Sequence, residues 1–211
     1  MAERPPQPGL PPQGALAHRG LGLRETAEPG AAGLHLTAMP VRSCVNLRAE
    51  ATPEIRTILT QNAGCGLPVQ PLDAAKRGTI TTLWLGPDEW LIVAGGHGGG
   101  NGNGFCERLE AAFRGHFVTV TDISDAYTIL RLAGPAAAEV LAKGCSLDTH
   151  TRVFPPGKVA RSLLAQAEVI LHRLKPDAFE IYVARSYADY LWRWLEDAGA
   201  EYGVAVVAAA G

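Results

Sequence analysis

The sequence lacks most of the features that identify membrane, secreted and nucleic-acid-binding proteins. Its 211 residues contain no apolar run long enough for a transmembrane helix. The N-terminus lacks the charged and then apolar layout of a secretory signal, so we expect a cytoplasmic protein. The net charge of −2, with acidic and basic residues interspersed, excludes a basic stripe for nucleic acid and a polybasic patch for a membrane.

Cysteine is scarce and widely spaced. The four cysteines are Cys44, Cys65, Cys106 and Cys145; no CxxC pair occurs, and no histidine or cysteine pair has zinc-ligand spacing. We therefore expect four free thiols, mostly buried, and no structural metal. The sequence also lacks a Ser-His-Asp arrangement, a P-loop and a dinucleotide-binding fingerprint, so its residues alone predict no catalytic, cofactor-binding or metal site.

Two segments are rich in residues that do not build a core. Residues 1–40 combine many prolines and glycines with little apolar periodicity, which predicts an extended arm. Residues 95–104, GGHGGGNGNG, match no phosphate-binding glycine motif and predict a flexible surface loop. The core is expected to begin at Val41, and residues 41–211 are predicted to form a single α+β domain.

The rest of the chain predicts the same order of elements twice. Strand, helix, two strands joined by a turn, helix and strand follow one another in 41–123 and again in 124–211. Short sequence echoes support this repeat. LGPDEWLI (85–92) recurs as LKPDAFEI (174–181), and GCGL (64–67) recurs as GCSL (144–147). We therefore predict duplicated ferredoxin-like β-α-β-β-α-β units.

The last helix of the second repeat has a predicted start and a predicted apolar face. Ser186 is placed to cap the helix, with Asp189 three residues further on in the capping-box position. The apolar stripe is predicted to comprise Tyr187, Tyr190, Leu191, Trp194, Leu195 and Ala198. Trp192 falls off this stripe. Together with Trp84, which lies in a predicted hairpin, it is a candidate interface residue.

The segment KGCSLDTH, residues 143–150, has the residue types of a thiol active site, because it holds Cys145, Asp148 and His150. Its glycine, cysteine and leucine also occur in the first repeat, so we expect a shared structural cause: a glycine in the left-handed conformation that ends a helix. A cysteine after a helix C-terminus is poorly placed to become a thiolate. We predict a packed turn with Lys143 and His150 at the surface or an interface; a thiol enzyme using Cys145 is the weaker alternative.

Two acidic stretches are further candidates for a polar site. Asp88 and Glu89 lie at a predicted hairpin tip, where turn formation is the expected role. Asp122-Ile-Ser-Asp125 lies at the junction of the two repeats. Both a turn held by side-chain hydrogen bonds and a polar site at the seam of the duplication remain open there.

Three long stretches resemble the gamma subunit of heterotetrameric sarcosine oxidase. They are LWLGPDEWLIVA (83–94), the run 121–174 and FEIYVARSYADYLWRWLEDAGAEYG (179–203), so that the resemblance covers about residues 41–203. That family is in turn similar in fold to the folate-binding domain of the glycine-cleavage T-protein. The resemblance implies a non-catalytic, assembly-supporting chain in a complex with alpha, beta and delta subunits. Such a complex oxidatively demethylates sarcosine to glycine, and the partner subunits hold FAD, FMN, NAD and tetrahydrofolate.

One departure from the T-protein pattern bears on folate chemistry. T-protein relatives carry a catalytic aspartate in a glycine-containing loop, whereas the corresponding run here, 164–172, contains neither aspartate nor glycine. Glu168 is the only carboxylate in that run. The resemblance therefore implies that the fold is kept and the folate chemistry lost. The alternative is a stand-alone, tetrahydrofolate-dependent protein similar to an aminomethyltransferase.

Overall fold

The computed structural model describes residues 14–21, 32–95 and 104–209; most of the predicted loop at 95–104 and much of the predicted arm lie outside them. Within these residues the helices are α1 (Pro53–Ala63), α2 (Phe105–Ala112), α3 (Ala137–Ala142) and α4 (Ala188–Gly199). Short 3-10 turns lie at Ala17–Arg19, Arg185–Tyr187 and Ala200–Tyr202. The strands are β1 (Leu34–Ala38), β2 (Ser43–Ala49), β3 (Ala74–Arg77), β4 (Ile80–Gly86), β5 (Glu89–Ala94), β6 (Val118–Asp122), β7 (Tyr127–Ala133), β8 (Val159–Leu164), β9 (Ala167–Lys175), β10 (Ala178–Ala184) and β11 (Val204–Val206).

The order of the strands in two sheets reproduces the predicted repeat. The first sheet has the order β3-β4-β5-β2-β6, and the second has the order β8-β9-β10-β7-β1-β11. The strands β3, β4, β5, β2 and β6 correspond to β8, β9, β10, β7 and β11. The two strand orders therefore agree, except that β1 is inserted between β7 and β11. The prediction of duplicated ferredoxin-like units is confirmed, and each unit has one additional edge strand, β3 or β8, that the sequence analysis did not predict.

β1 comes from the segment that was predicted to be an arm. It lies between β7 and β11, antiparallel to β7 and parallel to β11. Leu34 and Leu36 are fully buried in the core of the second unit. A start of the core at Val41 is therefore wrong for this strand. The alternation in LHLTA is a strand signal, and the surrounding prolines and glycines concealed it.

The apolar faces of the sheets arrange the molecule in layers. Helices α1 and α2 pack on the outer face of the first sheet, and α3 and α4 pack on the outer face of the second. The inner faces of the two sheets contact each other through a third cluster, which includes Cys44, Leu83, Leu91, Ile129, Ile170 and Tyr182. Any polar side chain on an inner strand face is thereby brought close to the other sheet.

The ends of α1 and α3 test the interpretation of the repeated Gly-Cys-x-Leu. The N-terminus of α1 is capped by the side chain of Thr52, and its C-terminal Gly64 has a left-handed φ of 72°, as predicted. Gly144 does not have a positive φ, and Lys143, the residue that follows α3, has a right-handed backbone conformation. Position 144 requires glycine for a steric reason, because a Cβ there would lie only 2.5 Å from Cζ2 of Trp194. The left-handed explanation is correct at Gly64 and wrong at Gly144.

Helix α4 begins later than predicted, and its buried face only partly matches the predicted stripe: Leu191 and Leu195 are buried and Trp194 and Ala198 pack against the core, whereas Tyr187 and Tyr190 are exposed. It starts at Ala188 without a side-chain cap, and Asp189 contacts His18 and Arg19 rather than forming a capping box with Ser186. The buried residues are Ala188, Leu191, Trp192, Leu195 and Gly199. Apolar residues occupy two adjoining stripes of this helix, so periodicity alone could not choose between them.

Candidate functional site

The segment 143–150 does not assemble the predicted thiol site. The Cys145 thiol lies 3.4 Å from the Ser162 hydroxyl, measured between Sγ and Oγ, and Cys145 packs against the second core. Asp148 accepts a hydrogen bond from the backbone N–H of His150 at 2.8 Å, and Nδ1 of His150 accepts one from the N–H of Arg152. Asp148 and His150 thus hydrogen-bond within their own segment, which is the packed turn that the sequence predicts.

A buried arginine on β9, Arg173, fastens this loop to the second unit. Its guanidinium donates to the backbone carbonyls of Thr149, Phe154, Lys175 and Pro176. It also lies 4.9 Å from the centroid of the Phe179 ring. Burial lowers the pKa of Arg173, but an arginine stays protonated in proteins, so its charge is stabilised by carbonyl dipoles. The contacts of Arg173 give it a structural role.

The four predicted interface residues have different surroundings. Trp192 is fully buried in the second core, so its prediction as an interface residue is wrong. Trp84 is half-buried against the first core. Lys143 is held by its own chain, since Nζ donates to the Ala198 carbonyl and to Glu201, whose hydrogen bond raises the pKa of Lys143. His150 is exposed. Trp84, Lys143 and His150 stay predictions as interface residues.

Glu89 on β5 forms the first of two charged clusters between the sheets. Arg161, from β8 of the other sheet, donates to both carboxylate oxygens at 2.8 and 3.1 Å. Asn46 and Arg48 on β2 donate at 2.9 and 3.3 Å. Burial alone raises the pKa of Glu89, but the hydrogen bonds from Arg161 and Asn46 outweigh it and hold the pKa below its ordinary value. Glu89 joins the two sheets, in addition to following the hairpin turn that the sequence predicted.

Glu180 on β10 forms the second cluster and is also buried. Arg131 donates to it at 2.7 Å, Arg42 reaches both oxygens at 3.1 and 3.2 Å, and the Tyr182 hydroxyl donates at 3.0 Å. Burial raises the pKa of Glu180, and the charges of Arg42 and Arg131 lower it further than burial raises it. His172 is paired with Glu180 across β9 and β10, and burial lowers its pKa to about 4.

Neither cluster is suited to proton transfer near neutral pH. A general acid or base works best with a pKa near the operating pH, whereas both carboxylates are held as anions and His172 is held neutral. A cavity of about 370 Å³ adjoins Arg161, and its lining includes Tyr127, Ser162, Leu163 and Glu168. Burial raises the pKa of Tyr127, which keeps its hydroxyl protonated. The clusters therefore stabilise the contact between the sheets.

The junction Asp122–Asp125 is a turn fastened to β2. Ser124 Oγ accepts a hydrogen bond from the Cys44 N–H at 3.0 Å, and Oδ1 of Asp122 accepts from the Ser124 N–H at 2.9 Å. Asp125 is exposed, and its Oδ1 lies 3.7 Å from Nη1 of Arg185. Burial raises the pKa of Cys44 to about 12, so its thiol stays protonated. Of the two alternatives for this stretch, the contacts favour the turn.

The described residues offer neither a membrane-spanning helix nor a group of metal ligands. In residues 14–21, 32–95 and 104–209, no helix is both long and apolar enough to cross a membrane. In that part of the chain, no three residues among histidine, cysteine, aspartate and glutamate come together as a group that could hold a metal ion. The two buried carboxylates, Glu89 and Glu180, are bound by arginines.

Comparisons with known proteins agree with this description. The model of the sarcosine oxidase, gamma subunit family matches residues 48–201. The sarcosine oxidase subunit gamma of Arthrobacter sp. is 34% identical over 166 residues, which cover 78% of this chain and 79% of that protein. These matches extend over most of the two repeats.

Solved structures extend the comparison to the fold. A chain of heterotetrameric sarcosine oxidase from Corynebacterium sp. U-96, in complex with pyrrole 2-carboxylate, has a TM-score of 0.79 and 29% identity over 92% of this chain and 97% of that chain. Glycine cleavage system aminomethyltransferase T from Bartonella henselae has a TM-score of 0.59 and 18% identity over 83% of this chain and 48% of that chain. The second likeness concerns the fold alone.

Proposed function

Because the chain belongs to the sarcosine oxidase gamma subunit family, we propose that it is a non-catalytic subunit that supports the assembly of a heterotetrameric sarcosine oxidase. Its partners are alpha, beta and delta subunits, which hold FAD, FMN, NAD and tetrahydrofolate. The complex oxidatively demethylates sarcosine to glycine, produces hydrogen peroxide and passes the one-carbon unit to tetrahydrofolate. We place the complex in the cytoplasm.

One observation carries the non-catalytic role. The two buried carboxylates and the buried arginine are engaged with their own chain: Glu89 with Arg161, Glu180 with Arg42 and Arg131, and the Arg173 guanidinium with backbone carbonyls. Groups that bind or activate a substrate keep a donor, an acceptor or a titratable proton for it. The described core uses these groups to join its two sheets and to hold a loop.

Co-expression with the three partner subunits tests this function. We expect the chain to co-purify with flavin-bearing partners, seen as a flavin spectrum and as four masses in one complex. The isolated chain is expected to show no sarcosine-dependent peroxide production. A chain that remains apart from these partners, or that oxidises sarcosine alone, would contradict the proposal.

The aminomethyltransferase-like alternative has less support. The run 164–172 begins with a tight hairpin in which Leu164 pairs with Ala167, and it continues along β9. Glu168 is exposed on that strand, and the run contains no loop in which a catalytic aspartate is held. Calorimetry on the isolated chain separates the two functions, since tight tetrahydrofolate binding would favour the alternative and its absence would favour the assembly subunit.

A further inference from the structure

The outer edge of the first sheet is formed by β6, which pairs with β2 on one side only among the described residues. The N–H of Ile123, just after β6, donates to the Cys44 carbonyl on the β2 side. N–H directions alternate along a strand, so Thr121 directs its N–H towards β2. Val120 and Asp122 then direct theirs away from the sheet, where a further strand could accept them.

Among the described residues, this edge lacks the strongest forms of protection against pairing. Natural edge strands carry lysine, proline or a bulge, whereas FVTVTD contains neither residue and pairs with β2 without a register shift. Thr119 and Thr121 are exposed, and their β-branched side chains favour a strand. Phe117, directly before β6, is fully exposed. An exposed aromatic side chain at an open strand edge is typical of a binding surface.

The other sheet edges are shorter or better covered. β11 has only three residues. The exposed Lys76 lies on β3. At β8, isolated bridges pair Cys145 with Leu164 and Asp73 with Lys158, next to the two ends of the strand. β6 is therefore the edge on which an additional strand meets the fewest obstacles.

The second unit shows the kind of segment that fits beside the fourth strand of a unit. There, β1 enters from outside the repeat and lies between β7 and β11, the counterparts of β2 and β6. In the first unit β2 and β6 pair directly, so a further strand can be added only on the outer side of β6. Its apolar residues, Leu34 and Leu36, alternate into the core. An extended segment with alternating apolar residues is thus already accommodated once in this fold.

On the basis of the proposed function, we propose that β6 and Phe117 form a docking edge for an extended segment of a partner subunit, which adds to the first sheet as a strand. The two ends of this edge have opposite charge. Arg48 and Arg114 lie at its N-terminal end, and Asp122 and Asp125 lie at its C-terminal end. The docking segment carries an acidic residue at the arginine end, a basic residue at the aspartate end and an apolar side chain against Phe117.

Phe117→Ser in the full chain, co-expressed with the partner subunits, tests the docking edge. We expect the dissociation constant for the partner subunits to rise about 30-fold, the size of a binding hot spot. Val153→Ser is the matched control, because Val153 is 60% exposed and lies outside the strands. Thr119→Lys is a second variant that should weaken assembly too, since lysine on an edge strand opposes pairing. Thermal unfolding of each isolated chain checks that the fold is retained.

The outcomes separate this inference from the proposed function. If the unaltered chain fails to assemble, the proposed function fails. If it assembles, and Phe117→Ser and Thr119→Lys assemble as tightly as Val153→Ser, the docking edge is wrong while the function stands. A loss of self-association in isolated Phe117→Ser, with unchanged binding to the partners, would assign the edge to a second copy of this chain and would also overturn the inference.

Discussion

The loop that follows the first helix is fastened differently in the two units. In the first unit, the indole N–H of Trp90 donates to the Pro68 carbonyl at 2.7 Å. In the second unit, Arg173 donates to four carbonyls, and the residue that matches Trp90 in the repeated hairpin is Phe179. A buried aromatic side chain thus contacts this loop in the first unit, whereas a buried charge contacts it in the second.

The two units also bury their carboxylates at different positions. Glu89 on β5 matches Ala178 in the second unit, and Glu180 on β10 matches Leu91 in the first. Each carboxylate is bound by an arginine that belongs to another part of the chain, Arg161 for Glu89 and Arg42 for Glu180. The duplication therefore sets the strand order, while the ion pairs between the sheets are particular to each unit.

The largest loss of stability is expected when a buried carboxylate is replaced, and it should differ between the two units. Glu180→Gln should lower the free energy of unfolding by about 3–5 kcal/mol, because it leaves Arg42 and Arg131 without their counter-charge in a buried cluster. Glu89→Gln should cost less. Its side-chain partners Arg48 and Arg161 are 59% and 50% exposed, against 19% and 34% for Arg42 and Arg131. Urea unfolding at neutral pH measures both, and a larger loss for Glu89→Gln would contradict the comparison.

A pH-dependent difference is expected from His172, which matches Leu83 in the first unit. Its pKa of about 4 in the folded protein lies below the ordinary 6.5, so the folded state binds fewer protons than the unfolded state. Burying neutral His172 costs no protonation energy above pH 6.5. The free energy of unfolding therefore falls by about 3 kcal/mol as the pH drops from 6.5 towards 4.

His172→Leu copies the first unit and should remove that fall. The measurement is urea unfolding of both proteins from pH 7 to pH 4, at constant salt. Glu180, across the strand pair, also titrates: because its pKa is lowered, the stability it contributes starts to be lost as the pH falls through the ordinary carboxyl range. The carboxylate is present in both proteins, so the comparison between them isolates His172. An equal pH dependence in the two proteins would show that His172 is not buried as described.

The smallest effect is expected from the repeated glycine. Gly144→Ala should cost about 1–3 kcal/mol, because its Cβ would overlap the Trp194 ring. Gly64→Ala meets no atom within 4 Å and should cost about 1 kcal/mol, from the left-handed backbone alone. Adding Trp194→Leu to each variant sharpens the test. The Trp194→Leu change should reduce the loss of stability caused by Gly144→Ala and leave that caused by Gly64→Ala unchanged. Thermal unfolding measures both losses, and an unchanged loss for Gly144→Ala would contradict the explanation.

The elements with strong local signals could be predicted, and those without them could not. Thr52, Pro53 and Gly64 delimit α1 because a cap, a fixed φ and a left-handed residue act within one or two turns. On α4 the burial of Leu191 and Leu195 was predicted correctly, but that of Trp192 was missed, because Trp192 and Trp194 are both apolar and only the core around Trp192 distinguishes them. In the candidate site, the sequence predicted that Cys145 belongs to a turn. It did not predict which arginines bind Glu89 and Glu180.

The sequence by itself determined the family, the repeat and most of the elements, because a strand or a helix is specified by apolar residues two or about four positions apart. The tertiary structure decided that β1 enters the second sheet, that Trp192 is buried and that two carboxylates join the sheets. These features depend on residues far apart in the chain, such as Arg42 and Glu180, which are separated by 138 positions. No local pattern specifies such a pair, since it forms only when the folded sheets bring both charges out of water together.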